Sequence, residues 1–395
     1  MKVLLVHNFY QQAGGEDRVF QLEGALLEER GHEVTRFSLH NHQIPSLSKL
    51  RLLGDTLWNR SVASQVRAIM VQFRPAVVHC HNIFPLISPA VYYVAKSLHI
   101  PVVQTLHNYR LLCPAAVLYR DGHLCEECMG TSTFWPSIVH GCYQNNRAVT
   151  TVAATMLATH RFCSTWNSKV DIYIALTEFA RQKFIDGGIP ANKIVVKPNF
   201  IPAPPFCGDG QGGYALFVGR LVHEKGIDVL LKAWQCLGSK LPLKIVGDGP
   251  LASTVSKHTK AFPGVDWLGS QNAEQVAALM RDALVLILPS TWYEGFPMIV
   301  AEAYAAGLPI IASSLGSLSA LIVHGRTGRH FQPGDCKDLC SQVEWVLDNP
   351  EALLQMRRAA RDEFDLKYTA HRNYELLMEI YAKTGAKSYD ETKAR

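Results

Sequence analysis

Two glutamates, Glu294 and Glu302, stand in the segment L-P-S-T-W-Y-E-G-F-P-M-I-V-A-E-A-Y-A-A-G-L-P-I-I-A-S, between two apolar runs. The spacing places Glu294 in a loop and Glu302 on the helix that follows. A loop carboxylate at a strand's carboxyl end stands where open α/β sheets bind ligands, and the backbone N–H groups near Phe296 to Ile299, at a helix start, are placed to hold an anion. Upstream, Gly219-Arg220-Leu221-Val222-His223-Glu224-Lys225-Gly226 sets two cations between glycines. The demand such a loop meets is a diphosphate, whose charge grows as it leaves and is stabilised by charge-assisted hydrogen bonds from Arg220 and Lys225. The plainer readings are a solvated surface turn for the cations and helix capping for the acids.

These residues need strands to hold them. Ala283 to Leu288 and Pro309 to Ala312 have strand length and strand composition, with a helix between them that starts near Pro297 and ends at Gly307. Tyr214 to Val218, Leu243 to Val246 and Val265 to Leu268 precede them, and the second of these runs into the turn Gly247-Asp248-Gly249-Pro250. In the first half the strands are Lys2 to Val6, Glu33 to Phe37, Ala76 to His79, Pro101 to Thr105, Asp171 to Ala175 and Lys193 to Lys197, separated mostly by helical patterns such as Asp17 to Arg30 and Ser61 to Phe73. Strands alternating with helices twice over predict an α/β protein of two Rossmann-like domains, parallel sheets facing a central cleft. The expected division is 1–200, 201–365 and a final helical segment 366–395 that crosses back to the first domain, with a linker rich in Pro, Gly and Asn near 198–213.

The first half carries matching candidates. Gly14-Gly15-Glu16 follows the first strand and precedes a helix, so its backbone is placed to approach phosphate. His107 follows the strand Pro101 to Thr105, and His79 and His81 end the preceding one; each is also readable as a satisfied core histidine.

Taken together, the Arg220/Lys225 loop, the Gly247 turn and the Glu-x7-Glu pair resemble the retaining glycosyltransferases of family 4, which have the GT-B architecture. The resemblance extends over nearly the whole chain. It implies that Arg220 and Lys225 bind the donor's diphosphate, that Glu294 holds a hydroxyl of the donor sugar and that Glu302 holds the ribose. It adds Gly14, Gly15, Gly219, Gly247, Gly249 and the Gly295 to Ile299 stretch to the donor site, and makes His107 the active-site histidine. The implied donor is a UDP- or GDP-sugar, and the implied acceptor a glycan or lipid-linked glycan of cell-surface polysaccharide or glycolipid synthesis. The chain has no Asp-x-Asp motif to hold a divalent metal against the diphosphate, so no cofactor is expected to be required for catalysis. The rivals are a sugar-nucleotide epimerase or phosphorylase on the same architecture and a noncatalytic sugar-nucleotide binding module.

At 395 residues with 48% hydrophobic and 18% charged residues, the chain can bury two cores, and a net charge of +5 without a dense basic run does not indicate nucleic acid. The first apolar run is too short for a signal peptide, so the cytoplasm is the expected compartment, and the family resemblance adds the inner face of the membrane as a place to dock. Residues 44–60 read as a basic amphipathic helix for peripheral membrane contact, or as a helix packed on the first domain. Of the ten cysteines, six, such as Cys80, Cys163 and Cys236, are scattered in apolar surroundings and are expected to be small buried hydrophobes. Cys113, Cys125, Cys128 and Cys142 cluster in an insertion at 111–143, with His123 and His140 nearby. A structural zinc, reduced thiols and a disulfide all fit that spacing.

Overall fold

The first strand, K-V-L-L-V-H-N-F, is buried from Val3 to Asn8, the double-sided burial of a strand covered by helices on both faces. In a computed structural model of the chain, which describes residues 1–12, 14–46, 48–202 and 207–386, it is an inner strand of a parallel sheet. The strands there are β1 (Lys2–Phe9), β2 (Glu33–His40), β3 (Val77–Asn82), β4 (Val102–Leu106), the short β5 (Tyr119–Arg120) and β6 (His123–Leu124), β7 (Ile172–Ala175) and β8 (Ile194–Val196). Their order is β2-β1-β3-β4-β7-β8, all parallel, while β5 and β6 form an antiparallel hairpin of their own.

A second parallel sheet follows, with β9 (Ala215–Val218), β10 (Leu243–Val246), β11 (Val265–Trp267), β12 (Val285–Leu288), β13 (Ile310–Ser313) and β14 (Gly328–Phe331) in the order β11-β10-β9-β12-β13-β14. The fold is α/β with two Rossmann-like sheets. In each sheet the winding reverses once, beside β1 and β3 in the first and beside β9 and β12 in the second. Ligands of open parallel sheets bind outside the strand carboxyl ends at such points. β14 was not expected, since Gly-Arg-His-Phe shows neither an apolar run nor alternation.

Helices cover the sheets by burying one stripe. In Ile227–Leu237 the residues Ile227, Leu230, Leu231, Trp234 and Leu237 are buried, and Trp234 Nε1 donates to the Leu241 carbonyl at 2.8 Å. In Gly15–Glu29 the buried stripe of Val19, Phe20, Leu26 and Leu27 also contains Glu23.

The described residues group into two compact units, one of 1–118, 126–198 and 373 onward, the other of 119–125 and 199–372. This division differs from the expected one in placing the 119–125 hairpin, Asn199, Phe200 and residues 366–372 with the second unit. The last helix, Ala370–Lys383, places Leu377, Ile380 and Tyr381 in the core of the first unit with Val3, Leu5 and Val103. Residues 203–206 of the expected linker and 387–395 lie outside the described residues.

Two expectations need correction. Residues 44–60 are not one amphipathic helix: a 3-10 segment, Asn41–Ser46, contains Pro45, and a separate helix, Lys49–Trp58, is capped by Ser48 and followed at once by Arg60–Phe73. Thr56 is buried, and the Leu57 carbonyl lies 3.0 Å from His160 Nε2 on the helix Arg147–Phe162, so the segment packs on its own unit. Leu47 lies outside the described residues. The scattered cysteines are not uniformly buried either; Cys80 is, but Cys163, Cys207 and Cys236 are exposed. Among the described residues no helix is long and apolar enough to cross a membrane.

Candidate active site

The second unit builds its site where β9 and β12 end. After β9 the chain turns through Gly219 and Arg220 into a short 3-10 segment, His223–Lys225, and Gly226 in the left-handed conformation (φ 74°) starts the helix Ile227–Leu237. A Cβ at Gly226 would sit 1.8 Å from the Pro289 carbonyl oxygen, so glycine is what lets this loop pass the end of β12. The packing delivers Lys225 Nζ to within 2.7 Å of Glu294 Oε1, which also accepts from Ser290 Oγ at 2.7 Å. Glu294 is 6% exposed, and Lys225 lies 5.8 Å from the centre of the Trp292 ring. Arg220 is exposed, and its guanidinium contacts no partner among the described residues.

The glycine turns pack against one another. Gly247, at φ 134°, would place a Cβ 1.9 Å from the Gly219 carbonyl oxygen, and its N–H donates to Gly269 O at 2.8 Å. Leu221 N donates to Asp248 O at 2.9 Å, which ties the Arg220 loop to the Gly247–Gly249 turn. Past β12, Pro297 is the N-cap of the helix Met298–Ala305, one position earlier than its expected place inside the first turn, and no side chain caps that helix. Pro297 has no N–H, so the donors at this end are the N–H groups of its neighbours. Phe296 is buried edge-on to Tyr368 at 5.6 Å, so its side chain serves the core and its backbone borders the loop. Glu302 is half-buried on the same helix. Tyr119, on the hairpin grouped with this unit, has its hydroxyl 3.3 Å from Thr291 Oγ1.

The first unit presents a different arrangement at the ends of β1, β3 and β4. Gly14 caps the helix Gly15–Glu29 in an extended conformation, its N–H donating to Asp17 Oδ2 at 2.9 Å, and no side chain caps it in return. Asp17 Oδ1 is 2.7 Å from His7 Nε2. His107 Nε2 meets His81 Nδ1 at 3.0 Å, and His81 Nε2 faces Glu23 Oε2 at 3.4 Å. Glu23 in turn is ion-paired with Lys197, and all of Glu23, Lys197 and His79 are fully buried. His79 is held by Tyr381 and Thr105, each at 2.8 Å. Burial depresses His79 to a pKa of about 4 and holds His81 and His107 well below the usual histidine value, with the neighbouring histidines and Lys197 adding to the effect on both. Beside them, Asn108 Nδ2 lies 3.2 Å from Glu16 Oε2 and 3.3 Å from the Tyr10 hydroxyl, and burial raises Glu16 to a pKa of about 7.

Glu23, His79 and His81 bring one ligand atom each within 4.8 Å of one another. Lys197 already places a cation on Glu23 through Oε1, and Tyr381 and Thr105 hold both nitrogens of His79, so the group stands as a hydrogen-bonded network around that ion pair. The four clustered cysteines do not gather in this way among the described residues. Cys113 and Cys128 are buried in the first unit, whereas Cys125 belongs to the hairpin grouped with the second. Burial pushes the Cys128 thiol up to about 11, with Cys113 and, less strongly, Cys142 adding to it.

Two family models match the chain, the Glycosyltransferase Family 4 model over residues 13–203 and the Glycosyl transferases group 1 model over residues 209–363. Between them they take in both units and both sets of loops just described. The chain is a family 4 glycosyltransferase of GT-B architecture. This glycosyltransferase is 25% identical over 357 residues to an uncharacterized 42.6 kDa protein of the cps region of Klebsiella pneumoniae, covering 81% of this chain and 87% of that one. It is 23% identical to the sulfoquinovosyl transferase SQD2 of Arabidopsis thaliana, covering 90% of this chain and 68% of that one. A glycogen synthase of Mycobacterium tuberculosis matches at 35% identity, but over 37% of this chain and 36% of its own length. Among solved structures, Anabaena Alr3699/HepE in complex with UDP shares the fold at a TM-score of 0.69 and 15% identity, covering 97% of this chain and all of that one. Sucrose-phosphate synthase of Thermosynechococcus elongatus does so at 0.71 and 17%, covering 98% of this chain and all of that one.

Sequence reasoning missed several residues of this glycosyltransferase's loops. Ser290 is one residue type among many in a loop and gave no signal. Glu23 and Lys197 did leave one: an acid on the apolar stripe of a helix and a lysine ending an apolar strand are charges where burial is expected, and buried charges come in pairs.

Proposed function

We propose that this glycosyltransferase takes a sugar from a nucleotide-sugar donor, UDP- or GDP-linked, and transfers it with retention of configuration to a glycan or lipid-linked glycan acceptor. The observation that carries the donor site is the Lys225–Glu294 contact at 2.7 Å, supported by Ser290, at the point where the second sheet reverses its winding. A cation and a carboxylate side by side suit the two ends of a sugar diphosphate, one meeting phosphate and the other a sugar hydroxyl. Arg220, exposed on the same loop, adds a second cation. In the transfer the bond from the anomeric carbon to the diphosphate breaks as the acceptor oxygen bonds that carbon from the same face, and the acceptor proton passes to the departing phosphate. Lys225 and Arg220 stabilise the charge on that phosphate, a task for which the family's site needs no divalent metal. The likeness to a glycogen synthase and to a protein of a cps region supports a glycan acceptor.

Incubation with UDP-, GDP- and ADP-sugars and a lipid-linked glycan acceptor tests the reading, with released nucleotide and glycosylated product both measured. Product stoichiometric with nucleotide is expected. An interconverted sugar nucleotide, phosphorolysis, or binding without turnover would each replace it with one of the rival activities.

A further inference from the structure

The histidines of the first unit form a chain with a defined direction. Lys197 holds Glu23 through Oε1, leaving Oε2 without a hydrogen-bond partner, and the buried atom facing it is His81 Nε2, also unpartnered, 3.4 Å away. A carboxylate oxygen only accepts. If His81 carried its proton on Nδ1, two lone pairs would face each other in a site where both residues are buried, with nothing to offset the desolvation. Placing the proton on Nε2 instead gives Oε2 an N–H and leaves Nδ1 as an acceptor. At 3.0 Å from that acceptor is His107 Nε2, and the two rings lie within 19° of parallel. His107 must then donate from Nε2, which leaves its Nδ1 lone pair without a partner among the described residues. Both rings are neutral because burial holds them well below the ordinary histidine range, so each carries one proton and the chain has a single consistent arrangement.

We propose that Glu23 and His81 are positioning residues that set the tautomer of His107, keeping its Nδ1 as a hydrogen-bond acceptor for a hydroxyl group of the bound ligand. The role of the ligand hydroxyl rests on the transfer reading above; the tautomer does not. His79 does not compete for this role, since both its nitrogens are taken by Tyr381 and Thr105. Lys197 keeps Glu23 an acceptor, so it belongs to the same device although it touches neither His81 nor His107 by hydrogen bond.

The test is a long-range nitrogen–proton correlation spectrum of the full chain labelled with 15N-histidine, recorded without substrate at pH 7.5. The His107 signals are assigned by their loss in His107→Gln. A proton on Nε2 of both His107 and His81 is expected; a proton on Nδ1 of either overturns the proposal. A second arm replaces the ion pair together, Glu23→Gln with Lys197→Met, which leaves no unpaired buried charge. This protein is expected to populate both His107 tautomers and to lose at least about tenfold in kcat while KM for the donor stays. An unchanged tautomer and kcat overturn the proposal. Because the wild-type spectrum is read with no substrate present, a wrong transfer assignment leaves the tautomer result standing, and a wrong tautomer leaves the transfer assay standing.

Discussion

The two units solve the same problem, holding polar groups at the end of a parallel sheet, in opposite ways. In the second unit the groups come from two short loops, Gly219 to Gly226 and Pro289 to Pro297, and their precision rests on backbone sterics, since Gly226 and Gly247 pack against carbonyl oxygens that a Cβ would overlap. In the first unit the groups come from the helix Gly15–Glu29, from β3, from the residue after β4, from the residue after β8 and from the last helix, and precision rests on side-chain hydrogen bonds inside the core. The loop site stays partly open and can exchange its ion pair for a ligand. The core network cannot, because every charge in it is buried and has one partner. Such a network is stiff and costly to break, which suits it to orienting a group rather than to binding one.

The largest effect expected from this contrast is on stability. Lys197→Met leaves Glu23 buried and unpaired and should destabilise the chain by about 3–5 kcal/mol, with most of the loss recovered in the double variant with Glu23→Gln. Chemical denaturation of the three variants measures the coupling, and additive losses would mean that the two groups do not act as a pair. Glu294→Gln should do the reverse, leaving the denaturation midpoint nearly unchanged and nucleotide binding nearly kept while turnover falls about 100-fold, the scale of one preorganised polar contact. Unchanged turnover would remove Glu294 from the site.

Acid should act on the first unit in two opposite ways. His79 falls from an unfolded pKa near 6.5 to about 4 in the fold, so between those values the unfolded chain binds protons more readily and stability drops as pH falls through the window. Glu16 behaves oppositely, rising from 4.5 to about 7, so its contribution is full below pH 4.5 and is lost as pH rises toward 7. Thermal midpoints across pH 4–7.5 should therefore gain a steeper upward slope in Glu16→Gln and lose slope in His79→Gln.

The glycine loops give the smallest and sharpest contrast. Gly247→Ala forces a Cβ to 1.9 Å from a carbonyl oxygen at φ 134° and should cost roughly 1–3 kcal/mol of stability along with activity. Gly14 has an extended backbone and nothing within 4 Å of a Cβ, so Gly14→Ala should change stability by about 0.5 kcal/mol or less. Activity lost in Gly14→Ala at unchanged stability would show that the loop is kept bare for a ligand.

How much of this was legible in the residues follows the same division. The parallel sheets were, because strands buried on both faces are near-continuous apolar runs, and the loops after β9 and β12 were, because Arg220, Lys225 and Glu294 sit at fixed spacings beside strand ends. Glu23, Lys197 and Tyr381 were not assigned to His79, His81 and His107, since the partners lie up to 302 positions apart and nothing local names one for the other. The amino-acid order alone determined which loops stand at the strand ends and which charges they carry, since backbone period and turn chemistry act over a few residues. The tertiary structure decided that Phe296 turns inward and that His107, His81 and Glu23 line up in one buried chain. Those outcomes depend on which segments pack together, and burial makes the choice only once the core has closed.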